Sequence, residues 1–332
     1  MPAVAQQEDD ADALWIEDEV VQTSGSVPSM PSGALTASDV RAWSNTPSLY
    51  LQPPDLGKCI PGALRNETKT AFLAAFNALR ARHGLAPVRY NAAADRAAGE
   101  AAMMMAANEA LSHDPPPSWK CWTADGADAA GSSNLLGGVS SPYLTYEDDN
   151  AILAEWLIEG EGDQIGHRRW LLDPYLGQTA LGRFVTVLPG GVRVDSAVMK
   201  VFSFPAESRG DDPGRLRPSA AVPAFVAWPQ GDYPAMYFSP RARLSFSVSQ
   251  DPADDEDGPD IVDFSQATVS IREGAQALPV RDQMWDNEGF GVANCLSWRV
   301  DGLVPGRTYA VTISGIRGAP QERYAYAFQI TR

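Results

Sequence analysis

Residues 66–90 read NETKTAFLAAFNALRARHGLAPVRY. Phe72, Phe76, Leu79 and His83 recur at helical spacing, which predicts a helix over 66–84 with one face turned to a core. Asn66 is expected to cap its start with help from Thr68. Gly84, which adopts left-handed backbone angles without a Cβ clash, is expected to end it.

Working outward, residues 91–112 predict a second helix: Asn91 caps an Ala-rich run of high helix propensity, and Met103, Met104 and Met105 read as core filler. Residues 113–145 are rich in Pro, Gly and Ser and are expected to be loops. A third helix fits Asp149–Gly160, with Ile152, Leu153, Trp156 and Leu157 inward. Thr179–Leu188 and Val192–Phe204 are β-branched and aromatic, and Pro189-Gly190-Gly191 between them is a hairpin signal. After a Pro/Gly/Asp/Arg-rich boundary at 208–220 the pattern is all strand. Segments 224–228, 242–248, 267–272, 295–300, 309–313 and 324–331 are separated by turn signals such as Gly231-Asp232, Asp301-Gly302 and Pro305-Gly306. Short strands at this spacing predict a β-sandwich of about 110 residues.

The chain has 332 residues and a net charge of −16. Such an acidic balance argues against a phosphate-backbone partner, which needs a basic footprint, so no nucleic acid is expected. No apolar run is long enough for a transmembrane helix. Residues 1–58 carry nine Asp/Glu against Arg41 and Lys58. They are expected to be a linker or a surface-wrapping arm, with Trp15, Ile16 and Trp43 as docking points. Ala3-Val4-Ala5 before a polar stretch reads as the remnant of a trimmed export signal, which predicts a secreted or cell-surface protein. Three cysteines allow one disulfide and one free thiol, and their spacing disfavours a structural zinc site. Cys59–Cys121 is the favoured pair because both flank one helical unit, with the other pairings open. The acidic run Asp251–Asp260, including Asp254–Asp260, has carboxylates that suit Ca2+, but Phe264 stands where an EF-hand loop would close with Glu. A solvated hairpin tip is the expected reading there, and Ca2+ is not.

Only three histidines occur. His83 lies on the core side of the first helix and is expected to be a packed residue. His113 and His167 follow helical segments, where sites usually lie. Several motifs come in order: Asn77-Ala78-Leu79-Arg80 with Gly84-Leu85-Ala86-Pro87-Val88 and Tyr90; an Ala-rich helix ending in Ser112-His113; Ser133-Asn134-Leu135 with Gly137-Gly138; Trp156-Leu157-Ile158-Glu159; and Gly166-His167-Arg168-Arg169-Trp170-Leu171-Leu172, with Gly182 beyond. Together, over about residues 62–205, they resemble the CAP superfamily of cysteine-rich secretory, antigen 5 and pathogenesis-related 1 proteins, bacterial type.

That resemblance implies an α+β chain: a CAP α-β-α sandwich followed here by an all-β, immunoglobulin-like sandwich. The expected division is an arm at 1–58, the CAP domain at 59–207, a linker at 208–220 and the β-sandwich at 221–332. The resemblance also implies a cleft lined by His113, the position of Ser133, Glu159 and His167. Ser133 stands where the family usually has glutamate, which leaves an acid–base pair incomplete. His113 and His167 are the expected metal ligands, for Zn2+, and Glu159 is the candidate catalytic base. Ser133, Asn134 and Arg168 are the expected ligand-binding residues, although an Arg168–Arg169 pair also suits a structural role around Glu159–Asp163. No His-Glu-x-x-His and no Gly-x-Ser-x-Gly occurs, so neither a zincin helix nor a nucleophile elbow is expected. The expected function is extracellular binding of a lipid, glycan or protein. The alternatives are a metal-dependent hydrolase of peptide or cell-wall substrates and a structural surface protein with a vestigial cleft.

Overall fold

The computed structural model describes residues 35–160, 162, 164–204, 222–249, 262–288, 291–292 and 294–332. Trp15, Ile16, the boundary at 208–220 and the acidic run at 251–260 lie outside the described residues. The chain begins with α1 (Ala37–Asn45), entered through a capping box in which the Thr36 hydroxyl accepts from Asp39 N–H and the Asp39 carboxylate accepts from Thr36 N–H. It continues into β1 (Tyr50–Gln52) and β2 (Ala63–Leu64). This described part of the arm is anchored. Trp43 and Tyr50 are buried. Trp43 Nε1 donates to Leu144 O (2.9 Å), and Tyr50 OH bridges Arg183 O (3.0 Å) and Val185 N (2.9 Å).

The opening stretch forms α2 (Asn66–Arg82), with Phe72, Phe76 and Leu79 buried. Its start differs from expectation. Asn66 is the first helical residue and Arg65 holds the cap position with no side-chain cap, while Thr68 Oγ1 donates to Leu49 O (2.9 Å). Gly84 has φ 68°, as a helix stop requires. Asn77 and Arg80 fold the following turn. The Asn77 amide donates to Val88 O (3.0 Å) and accepts from Val88 N (2.8 Å). The buried Arg80 guanidinium donates to Ala86 O, Leu171 O and Asp173 O, each at 2.9 Å. These two motif residues are therefore framework.

After β3 (Arg89–Tyr90), Asn91 caps a short 3-10 turn that leads into α3 (Asp95–Asn108). Residues 113–145, expected to be loops, contain α4 (Ala124–Gly131) and β4 (Ser133–Ser141). Glycine content misleads there because Gly137 and Gly138 have positive φ and close backbone neighbours. A Cβ on Gly137 would lie 2.6 Å from Asp195 O, and one on Gly138 would lie 3.0 Å from Ala110 O. Then come α5 (Asp149–Ile158), α6 (Gly166–Leu171), β5 (Gln178–Val187) and β6 (Arg193–Lys200). One sheet runs β3-β5-β6-β4, so β4 is an edge strand.

The sheet is a middle layer. On one face Ala98, Ala102, Met103 and Met105 of α3, with Ala129 and Ala130 of α4, pack on Leu135, Phe184 and Val198. On the other face Phe72, Phe76, Ile152, Trp156, Leu157 and Leu171 pack on Leu181, Ala197 and Met199. The strict alternation Val198-Met199 between the two cores follows from the period of a strand. α3 lies against β5 so closely that a Cβ on Gly182 would sit 1.9 Å from Ala98 O.

The C-terminal part comprises β7 (Phe225–Trp228), β8 (Gly231–Pro234), β9 (Leu244–Val248), β10 (Thr268–Glu273), β11 (Gln276–Leu278), β12 (Val280–Asp286), β13 (Cys295–Val300), β14 (Thr308–Ser314) and β15 (Arg323–Thr331). They form two sheets, β11-β10-β14-β15-β8 and β12-β13-β9-β7. This is the expected β-sandwich arrangement, with Phe246, Trp298, Tyr309 and Phe328 among its core. Gly231-Asp232, expected as a turn, instead begins β8, which pairs in parallel with β15. The second core of the CAP-like region and the sandwich core are one continuous apolar cluster, from Phe72 and Trp156 to Trp228 and Trp298. His83 lies in that junction: it is buried, its Nε2 meets Tyr233 OH at 3.0 Å, and burial pushes its pKa down to about 3, so the ring is neutral. Cys59 and Cys121 form the expected disulfide, and Cys295 is a buried free thiol. No helix among the described residues is long and apolar enough to cross a membrane.

Candidate functional site

The first residues of edge strand β4 separate two helical layers, and the candidate residues hang on either side of them. On the α3/α4 side, the last carbonyls of α4 each receive a side-chain donor. Ser132 Oγ donates to Asp128 O (2.7 Å), Ser133 Oγ to Ala129 O (2.6 Å), and His113 Nδ1 to Ala130 O (2.9 Å). Helix termini leave these carbonyls without intrahelical partners, so the three contacts close α4. On the α5/α6 side, Asn134 Nδ2 donates to His167 O (3.2 Å). Successive strand residues point to opposite faces, which is why Ser133 serves α4 and Asn134 serves α6.

Glu159 occupies the end of α5 in left-handed backbone (φ 53°) and turns its carboxylate onto the start of α6. One oxygen accepts from His167 N–H (2.9 Å) and the other from Arg168 N–H (3.1 Å). The first oxygen also lies 3.2 Å from His167 Nδ1. A carboxylate at the first turn of a helix satisfies unpaired N–H groups and meets the positive dipole end. Glu159, read from the sequence as a base, is thus placed by the structure as the group that orients His167.

A carbonyl oxygen only accepts, so His113 Nδ1 carries the proton in its contact with Ala130 O and, in the neutral ring, Nε2 carries the lone pair; His167 Nδ1 faces the Glu159 carboxylate at ion-pair distance. His113 is exposed and His167 about one-third exposed. Fixing Nδ1–H with a carbonyl or carboxylate is the usual way a protein aims Nε2 at a metal or ligand. Two imidazoles are an incomplete set for tetrahedral zinc, which takes at least three protein ligands. Among the described residues no group of three or more His, Cys, Asp or Glu stands ready to hold a metal.

Arg168 does not face the cleft as an expected ligand-binding residue would. Its side chain is 1% exposed, with the guanidinium 3.8 Å over the Trp228 ring. It donates to Leu157 O (2.6 Å), Ile158 O (3.1 Å), Arg243 O (2.7 Å) and Ser245 Oγ (3.2 Å). Arg169 pairs with Asp286 (2.6 Å) and donates to Val292 O (2.9 Å). Both are pins between α6 and the β-sandwich: Arg168 joins the end of α5 to Arg243 and Ser245, and Arg169 reaches Asp286 and Val292. The sequence reading also missed Lys200. This buried residue faces Ser133 across the β4–β6 pair, and its Nζ donates to Ser132 Oγ. Burial pushes its ammonium down to about 8, against the attraction of Asp128. The signal available was one of only four lysines at the end of a strand.

No curated protein matches the chain. Residues 73–182 match the family model described as the cysteine-rich secretory protein family, CAP. That interval contains His113, Ser133, Asn134, Glu159 and His167, together with α3 to α6, β3 and β4, and ends within β5 at the Gly182 contact. The chain therefore carries a domain of the cysteine-rich secretory protein (CAP) family.

Proposed function

We propose that the protein is an exported CAP-domain binding protein. Its cleft at the start of β4 takes an extracellular lipid, glycan or protein, and His113 and His167 provide a weak divalent-metal site, for Zn2+. The observation that carries this reading is the pair of imidazoles whose Nδ1 positions face Ala130 O and Glu159, leaving both Nε2 atoms for a ligand. With Glu159 engaged by two backbone N–H groups and Ser133 by Ala129 O, the cleft holds and orients better than it transfers protons. Export is supported by the Cys59–Cys121 disulfide, since such bonds persist in oxidising compartments. In this reading residues 1–58 are an arm, 59–207 the CAP domain and 221–332 the attached β-sandwich.

Zn2+ titration by calorimetry tests the metal site on wild type, His113→Ala and His167→Ala. Each variant is expected to bind at least 10-fold more weakly, and equal affinity in all three would remove the site. Lipid and glycan arrays with the same proteins test the ligand class, and a complete lack of binding argues against the cleft as a ligand site. The second reading, a metal-dependent hydrolase of peptide or cell-wall substrates, draws on the same two free Nε2 atoms. It requires turnover that is lost in both histidine variants and in Glu159→Gln.

A further inference from the structure

His167 is the second residue of a helix only six residues long. So short a helix has little stability of its own, and its position must come from what packs on it. The residues that fix it from the far side all lie beyond the family match, in the C-terminal sandwich. Arg168 enters that sandwich between the Trp228 ring and Arg243 O. Arg169 reaches Asp286 and Val292 O at the end of β12 and in the loop after it. That loop touches α6 directly: Gly291 has φ 67°, and a Cβ there would lie 2.6 Å from Arg169 O and 3.0 Å from Trp170 Cα. Arg299 of β13 donates to Gly162 O (3.0 Å), in the connection between Glu159 and α6. Contacts from Trp228 at the end of β7, Arg243 just before β9, Asp286 at the end of β12, the loop residues Gly291 and Val292, and Arg299 of β13 therefore converge on α6 and its lead-in.

We propose that the β-sandwich is a working part of the cleft, with Asp286, Gly291 and Arg299 acting through Arg169 and Gly162 as positioning residues for His167. The proposal rests on reading the β4 edge as a ligand site, but its test does not depend on that reading. Asn134 and Glu159 set the His167 backbone from the CAP side. The sandwich sets where α6 as a whole lies, and thus where Nε2 points. His113 is exposed and tied to α4, whose Ala129 and Ala130 pack on the opposite face of the sheet, and it belongs to no contact of this clamp. Only one half of the cleft is under the sandwich's control.

The test uses the full chain with Gly291→Ala and Asp286→Asn, and Gly315→Ala as the control. A Cβ on Gly315 would lie 2.4 Å from Gln266 O, so this variant strains the sandwich comparably without touching α6. The imidazole resonances of His113 and His167 are recorded by NMR, and Zn2+ affinity is measured alongside. Gly291→Ala and Asp286→Asn are expected to shift the His167 ring signals, leave those of His113 in place and weaken Zn2+ binding about 10-fold. Gly315→Ala is expected to leave both rings as in wild type. An unmoved His167 in Asp286→Asn and Gly291→Ala overturns the proposal, as does an equal shift in Gly315→Ala. If Gly291→Ala fails to fold, Asp286→Asn alone decides. Absence of Zn2+ binding in wild type counts against the metal reading, while the ring shifts still decide whether the sandwich positions His167.

Discussion

Arg168→Met removes a guanidinium while keeping an unbranched side chain of similar reach. In wild type, burial pushes the Arg168 pKa down to about 10 against the pull of Glu159, yet the group remains charged at neutral pH. Three main-chain carbonyls, Leu157 O, Ile158 O and Arg243 O, accept from it in the interior. Losing their donor costs roughly 1–3 kcal/mol per buried acceptor. The stacking on Trp228 at 3.8 Å contributes about 2 kcal/mol more in a desolvated site. Against this, methionine removes the several kcal/mol spent in burying a cation with no ion-pair partner. The net loss is about 3–5 kcal/mol. Urea unfolding followed by tryptophan fluorescence measures it, since Trp156, Trp228 and Trp298 report on both halves of the continuous core. Arg168→Lys keeps the charge but gathers its donors at one point, so it is expected to lose about 2 kcal/mol. If Arg168→Met unfolds within 0.5 kcal/mol of wild type, the claim that the guanidinium pins α6 to the sandwich is refuted.

Three further outcomes are expected. Burial, reinforced by the charges of Asp195 and Glu155 and opposed by Arg183, raises the Glu147 carboxyl to about 7. The folded state then binds the proton more tightly than the unfolded chain. That stabilisation is complete below about 4.5 and is lost as pH rises to 7, a swing of roughly 3 kcal/mol. Glu147→Gln should therefore raise the melting temperature more at pH 8 than at pH 4.5, and an equal effect at both would contradict it. Gly182→Ala sets a Cβ against the Ala98 carbonyl, a backbone atom that cannot step aside, and should destabilise by about 3 kcal/mol or more in calorimetric melting. Breaking the Cys59–Cys121 bond, which spans 62 residues, by replacing both cysteines with serine should lower stability by roughly 4 kcal/mol at most. Reducing agent should then have no further effect on the double variant.

Much of the framework could be read directly from local pattern. The spacing of Phe72, Phe76 and Leu79 marks α2, the Pro189-Gly190-Gly191 turn marks the β5–β6 hairpin, and the motif order singles out His113, Ser133, Glu159 and His167. These features depend on interactions within a few residues, or on side-chain types that only one role explains. Residues 113–145 read as loops because composition suggests loops wherever glycine is dense, while Gly137 and Gly138 serve close packing within β4. β12 was missed because its residues are mostly exposed and carry no alternation.

The roles within the site were not legible in that way. Glu159 looks like a base in the sequence, and only its left-handed position at the end of α5 turns it onto the N–H groups of His167 and Arg168. Arg168 sits in a motif beside His167, so adjacency suggests a ligand contact. Its partners Arg243 and Ser245 are more than seventy residues away. Periodicity and spacing record which face of an element is apolar. They do not record which distant carbonyl a buried guanidinium will meet, because that depends on how two separately folded layers close on each other. By itself the sequence determined the three longest helices, the hairpin, the two histidines and the family of the central domain. The tertiary structure decided that Glu159 turns onto the start of α6, that Arg168 and Arg169 join the sandwich, and that Nδ1 of each ring faces an oxygen of its own layer.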